Sequence, residues 1–271
     1  METGDSTRLQ LTVQYDGSGF HGWQLQPELR TVQGALESAL SRLADRPRSV
    51  IGSGRTDAGV HATGQVASVD MPARWTPSAL RRSLNAILPD DVWIADVRAV
   101  RPDFHPRYGA TSRAYEYRVG TRAEASSPFH RRWCWPLGEP LSRRLLDEGA
   151  ARVVGEHSFV RFAKAGQPER GDHCTVARAL WADWDMGLSF EITADRYLHH
   201  MVRYLVGTMV DVARGRRPPE ELARLLDADP LLETSPPAPP QGLFLTRVEY
   251  PDHVYDVDHT TPSDARSAAT A

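Results

Sequence analysis

Cysteine is almost missing from this 271-residue chain, which holds only Cys134 and Cys174, far apart in sequence. Two such residues make no disulfide framework and fit a reducing, cytoplasmic setting. Lysine is scarcer still: Lys164 stands alone, and every other basic residue except histidine is arginine. Arginine suits bidentate phosphate contacts and stacking on bases, although a genome rich in G and C produces the same bias. No apolar run approaches the length of a membrane span. The opening METGDSTRLQ has no basic start followed by an apolar stretch, so no signal peptide is expected. Gly52, Gly54 and Gly59 do not make G-x-G-x-x-G, and neither a Walker-type G-K-[ST] nor G-x-S-x-G occurs. These absences argue against a dinucleotide enzyme, a P-loop enzyme and a nucleophile-elbow hydrolase. Asp172, His173 and Cys174 are a weak metal cluster in a loop, and His199 and His200, placed on a helix, would point about 100° apart. No metal site is expected.

What the chain does contain is ordinary in bulk and uneven in detail. Apolar content of 41% and charged content of 25% fit a globular protein with a sizeable core. Net charge is −3, yet residues 220–271 hold ten acids and three bases, leaving 29 bases against 25 acids in the rest. Arginines gather at Arg98, Arg101, Arg107, Arg113, Arg118, Arg122, Arg131 and Arg132. Such a stripe either tracks phosphates or forms a solvated face.

Periodicity outlines two halves of similar order. Residues 9–15 (LQLTVQY) read as a strand closed by Asp16-Gly17. Thr31 caps a helix whose apolar residues Val32, Ala35, Leu36, Ala39, Leu40 and Leu43 follow helical spacing. A strand over 65–69, a helix started by Thr76-Pro77 and a strand over 92–97 complete the first half. The second half reads as a strand over 114–119, a helix over 141–154, paired strands over 177–185 and 189–193, a helix over 198–212, a short helix after Pro218-Pro219 and a strand over 243–250. The expected class is α+β, with two sheet-plus-helix domains over 1–107 and 108–251. SPPAPP, 235–240, is a semi-rigid connector, and 252–271 reads as a disordered tail.

GSGRTDAGVHA, residues 52–62, surrounds Arg55, Thr56 and Asp57 with small residues. Two readings stand: a tight turn, or a loop presenting an ionised carboxylate to a molecule that comes close. A neighbouring arginine would keep Asp57 charged. Arg203, flanking the apolar stripe of its helix, is either a snorkelling surface residue or a cationic partner for a carboxylate. Tyr115 and Tyr117 alternate along a strand and share one face, for core packing or for stacking on bases.

These stretches together resemble the bacterial tRNA pseudouridine synthase A family. The resemblance rests on RTDAGVHA (55–62), YDGSGFHGWQLQ (15–26), TVQGALESAL (31–40), LNAILPDDV (84–92), FHPRYGATSRAYEYRV (104–119), HHMVRYLVGTMVDV (199–212) and PPQGLFLTRVEY (239–250), in the family's order. It departs from the usual pattern at Ser53, at Pro106 in FHPRY and at His199, where arginine is frequent. The resemblance implies a pseudouridine synthase fold, two ferredoxin- or RRM-like halves sharing one mixed, mostly antiparallel sheet with helices on one face. It implies conversion of uridine to pseudouridine at positions 38, 39 and 40 of the tRNA anticodon stem-loop by base flipping, without cofactor or metal, in a homodimer whose subunits together cradle tRNA. By position, Asp57 matches the catalytic aspartate and Arg203 its arginine partner. Tyr115 matches the tyrosine that packs on the target base and helps remove its C5 proton, Leu243 an apolar residue of the uracil pocket, and Arg55 the arginine that fills the vacated stack. Attack at C6, attack at C1′ and proton abstraction at C2′ stay open as routes for the aspartate.

Overall fold

Threonine starts both helices of the first half. Thr31 accepts from the Gly34 backbone N–H ahead of α1 (Val32–Ala44), and Thr76 accepts from Ala79 N–H ahead of α2 (Pro77–Ile87), with Pro77 in the first turn where its missing N–H costs nothing. The computed structural model describes residues 6–164 and 171–255. Around these helices the first half supplies β1 (Ser6–Tyr15), β2 (Ile51–Gly52), β3 (His61–Pro72) and β4 (Val92–Ala99). The second supplies β5 (Ser112–Gly120), β6 (Trp135–Pro136), α3 (Arg143–Arg152), β7 (Gly155–Ser158), β8 (His173–Trp184), β9 (Gly187–Ala194), α4 (Met201–Ala213), α5 (Glu220–Leu226) and β10 (Leu243–Glu249).

The ten strands of the described residues join one mixed sheet, in the order β4-β1-β3-β10-β5-β9-β8-β7, with β2 beside β3 and β6 beside β5. The seam between the halves is β10. It runs parallel to β3 (Phe244 opposite His61, Leu245 opposite Ala62) and antiparallel to β5 (Leu243 opposite Tyr117, Leu245 opposite Tyr115). The last strand among the described residues therefore ties the strand that follows the 52–62 loop to the strand that carries Tyr115.

Strand residues two apart share a face. Leu9, Leu11 and Val13 of β1, Ala67, Val69 and Met71 of β3, and Tyr115, Tyr117 and Val119 of β5 meet the buried stripes of all five helices in one continuous apolar core. The helices are thus gathered on that face. Val66, pointing the other way from β3, packs with Val100, Phe104 and Val254 in a small cluster on the opposite face. That cluster corrects the tail boundary: Asp252–Tyr255 forms a 3-10 turn with Val254 buried, whereas 256–271 lie outside the described residues. The connector 235–240 is packed as well. It runs along α4, where Ser235 N–H reaches Thr208 and Ala238 N–H donates to Arg203 O at 2.9 Å, and Tyr117 donates its hydroxyl proton to Pro239 O at 2.7 Å.

His61, at the start of β3, is 1% exposed, stacked on Phe244 and in tilted contact with Trp133. Its Nδ1 accepts from Gly17 N–H at 3.0 Å, so its Nε2 carries the proton toward Arg132 O at 3.2 Å. Asp16 also stands 3.2 Å from Nδ1, but its carboxylate is paired with Arg132. Burial lowers the pKa of this imidazole. The unfolded chain takes up a proton near pH 6.5 that the native chain refuses until lower pH. Stability should therefore fall as pH drops from about 6.5 through the depressed value, by at most about 1.4 kcal/mol per pH unit from this group. Urea unfolding from about pH 7.5 to about pH 5.5 checks this: His61→Gln should flatten the slope relative to wild type, and identical slopes would exclude His61 as its source.

Candidate active site

The 52–62 segment is both a turn and a presenting loop. Its entry is clamped from below: Ser53 N–H donates to Val66 O, buried Gln65 donates to Gly54 O at 2.9 Å, and buried Arg113 donates to Ser53 O at 2.8 Å. In its middle Thr56 is buried, sharing a 2.7 Å hydrogen bond with the Tyr15 hydroxyl and accepting Trp23 N–H on its carbonyl. Arg55 and Asp57, on either side of that anchored threonine, are thereby turned outward. The exit is a β-turn in which Val60 N–H donates to Asp57 O and Gly59 takes φ +78°, a conformation glycine adopts without strain. The smallness of Gly52 has a cause inside the protein: a Cβ there would stand 2.6 Å from the Trp23 ring, which is 2% exposed. Glycine at 52 makes room for that indole.

Asp57 faces three basic side chains. Arg203 NH1 donates to Oδ2 at 3.3 Å, His199 Nε2 stands 3.1 Å from Oδ1, and His200 Nε2 stands 3.1 Å from Oδ2. Arg203 is 12% exposed and Asp57 23% exposed at the side chain, so the pair is screened from bulk water without being sealed. Arg203 Nε also donates to Ala238 O at 2.7 Å, which fixes its guanidinium from the connector side. Arg203 is thus the cationic partner of Asp57, not a snorkelling surface residue. Arg55 is not the partner: it is exposed and its Nε donates to Gln24 at 3.0 Å, while Gln24 donates to Gln33 of α1.

The two histidines correct the sequence reading. They were expected on the helix, diverging; α4 instead begins at Met201, and His200 is its cap residue at φ +66°, ψ +4°. This left-handed backbone breaks the helical rotation, so both imidazoles turn to Asp57 with ring centroids 4.2 Å apart. Burial lowers the pKa of His200, helped by the charges of Arg203, His199 and Lys164 and opposed by Asp57.

Tyr115 is 9% exposed in the core beneath the loop, its ring edge-on to Tyr197 at 4.9 Å. Burial pushes its phenol up to about 12, with the charge of Arg113 opposing and that of Asp57 adding. At neutral pH it is a protonated phenol. Leu243 is buried on the same face of β10, opposite Tyr117; the leucine directly opposite Tyr115 is Leu245. The structure therefore brings Asp57 and Arg203 into contact and places Tyr115 within reach of the Asp57 charge, with Leu243 two residues along β10 from the position opposite Tyr115 and Arg55 at the surface. Sequence reading missed His199 and His200 as partners of Asp57, Gln65 and Arg113 as clamps of the loop, and Leu245. The dipeptide just ahead of a helix was the available signal for the histidines. Within the arginine stripe, Arg98, Arg101, Arg118 and Arg132 are ion-paired and Arg113 is buried.

A large mixed sheet of ten strands with five helices among the described residues is consistent with the pseudouridine synthase fold. The chain belongs to the tRNA pseudouridine synthase family, whose profile matches residues 11–109 and 150–251. Membership makes it an isomerase, since pseudouridine contains the atoms of uridine joined differently. Asp57, Arg203 and Leu243 fall inside the matched stretches and Tyr115 between them. Individual relatives carry the more particular name tRNA pseudouridine synthase A. The one from Methylacidiphilum infernorum is 39% identical over 242 residues, covering 89% of this chain and 94% of its own. Those from Moorella thermoacetica and Myxococcus xanthus are each 40% identical, covering 89% and 90% of this chain and 99% and 92% of their own. Among the described residues no helix is long and apolar enough to cross a membrane.

Proposed function

We propose that this protein converts uridine to pseudouridine at positions 38, 39 and 40 of the tRNA anticodon stem-loop, with Asp57 as the essential carboxylate. The observation that carries the reading is the Asp57–Arg203 pair, made between residues 146 apart at the sheet seam. Arg203 pairs with the Asp57 carboxylate in a partly desolvated place, the preorganised setting that each of the three conceivable routes requires. The target nucleotide leaves the stack to reach the carboxylate, at a cost of a few kcal/mol. Arg55, exposed and steadied by Gln24, enters the vacated place and offsets part of that cost. Tyr115 contributes its ring face to the flipped base rather than a phenolate, given the upward shift of its phenol. Leu243 belongs to the apolar wall of the pocket. The working form is a cytoplasmic homodimer that needs no cofactor, with residues 1–107 and 108–251 as the two domains of each subunit.

Unmodified tRNA transcripts carrying uridine at one of the three positions at a time test this directly. Mass spectrometry after carbodiimide labelling should find pseudouridine at each. Product only at another uridine would indicate a related synthase with a different target, and no product a catalytically silent RNA-binding protein. Arg55→Ala should weaken flipping, read by 2-aminopurine fluorescence at the target site, more than initial binding. Unaltered flipping would remove that role from Arg55.

A further inference from the structure

Asp57, His199 and His200 present one carboxylate oxygen and two imidazole nitrogens that all lie within 4.8 Å of one another. Four ligands about 2.0–2.1 Å from a tetrahedral zinc ion stand about 3.4 Å apart. His199 Nε2 stands 3.1 Å from Oδ1 and His200 Nε2 3.1 Å from Oδ2, so each imidazole approaches a different oxygen of the carboxylate and the ion must draw the three donors, now within 4.8 Å, onto one such polyhedron. We propose that these three residues form a binding site for a borderline transition-metal ion, Zn2+ foremost, and that the bound ion reversibly blocks the enzyme by occupying its catalytic carboxylate. The binding stands on geometry alone; the block rests on the reading of Asp57 as the essential carboxylate.

The donor set decides the class of ion. Two imidazoles and one carboxylate with a position left over is a zinc-type set. Mg2+ prefers oxygen ligands in an octahedron and keeps its waters, so the magnesium that accompanies tRNA would not compete here. The left-handed backbone of His200, uncommon for any residue but glycine, is what turns it toward the carboxylate. His199 is 56% exposed, which leaves a path for the ion and room for a water as fourth ligand. Arg203 holds the carboxylate in place through Oδ2, and its own charge, 3.3 Å away, keeps the affinity below that of a structural zinc site. The consequence is a site suited to reversible occupancy. While the ion is bound, Asp57 is committed to the metal and to Arg203 and has no lone pair directed at the nucleotide.

The test uses the full-length enzyme. Zn2+ titrated calorimetrically should bind with one site per chain, and Co2+ in its place should develop the visible absorption of a four-coordinate ion. Zn2+ should inhibit pseudouridine formation at concentrations where equal Mg2+ does not, and a chelator should restore the rate. In His199→Gln and His200→Gln, each compared with its own uninhibited rate, half-inhibition should need at least about 10-fold more Zn2+. Absence of a one-per-chain site, or variants including Asp57→Asn that bind as tightly as wild type, would overturn the site. Binding that is lost in the variants yet leaves the wild-type rate untouched would overturn the block and count against Asp57 as the essential carboxylate. A chain inactive on every transcript would refute the proposed function while calorimetry still decides the site.

Discussion

Asp57→Asn should reduce pseudouridine formation by about 10^4-fold or more, the scale expected when a reacting group is removed, while tRNA binding and thermal stability stay close to wild type. Asparagine has the same shape and retains one oxygen, so it can still accept from Arg203 or from His199. Arg203 keeps its 2.7 Å bond to Ala238 O. The loop itself does not depend on the carboxylate: Thr56 is anchored by Tyr15 and Trp23, and the turn at Gly59 uses the Asp57 backbone carbonyl. With the site partly open to water, the loss in stability should be about 1 kcal/mol. What disappears is the negative charge and the second lone-pair oxygen, and every route open to the aspartate needs them. Product analysis by mass spectrometry together with a filter-binding isotherm decides the matter. Normal product from this variant would refute the role of Asp57, and lost binding together with lost product would place the defect in recognition instead.

The second large effect is expected at Arg203. Its guanidinium joins two segments distant in sequence, donating to Asp57 on the loop and to Ala238 O on the connector. Alanine removes both contacts and leaves Asp57 facing two histidines, one of them held toward its neutral form. Catalysis should fall by about 10^2- to 10^3-fold, as when one preorganised donor is lost. Stability should fall by about 2–3 kcal/mol, below the full cost of breaking a buried pair because Asp57 keeps some water. Arg203→Lys separates the two functions. Its ammonium restores a positive charge but lacks the planar fork, so it can satisfy the carboxylate or the carbonyl but not both. The lysine variant should therefore recover part of the kcat and little of the Tm. Single-turnover rates and thermal melts read the two independently; an Arg203→Ala enzyme with a wild-type rate would show that the ion pair is structural only.

Much of the fold is legible along the chain because caps and periodicity are local signals. Thr31 and Thr76 start the helices they were expected to start, and the α1 stripe of Val32, Leu36, Ala39 and Leu40 and the shared face of Tyr115 and Tyr117 lie in the core. The errors have physical causes. β3 begins at His61, earlier than the strand read from 65, because its first residues are small or polar yet buried at the seam with β10. β8 begins at His173, inside what read as a loop, because β7, a four-residue strand with no apolar pattern, pairs with it there. The connector 235–240 looked like a spacer, but its proline-rich chain is seated on α4 by bonds to Thr208 and Arg203.

The candidate site divides along the same line. The family resemblance of RTDAGVHA, RAYEY and HHMVR singles out Asp57, Tyr115 and Arg203 without any structure, whereas the residues by themselves left each between a structural and a chemical role. Which groups touch Asp57 was decided only by the tertiary fold. Pairing β10 with both β3 and β5 closes the seam, and a left-handed residue at position 200 ends helical rotation one residue before α4. Local pattern carries the period of a helix or a strand. It carries no information on a contact between residues 146 apart, nor on whether an imidazole next to a helix start follows the helix or turns back to a carboxylate.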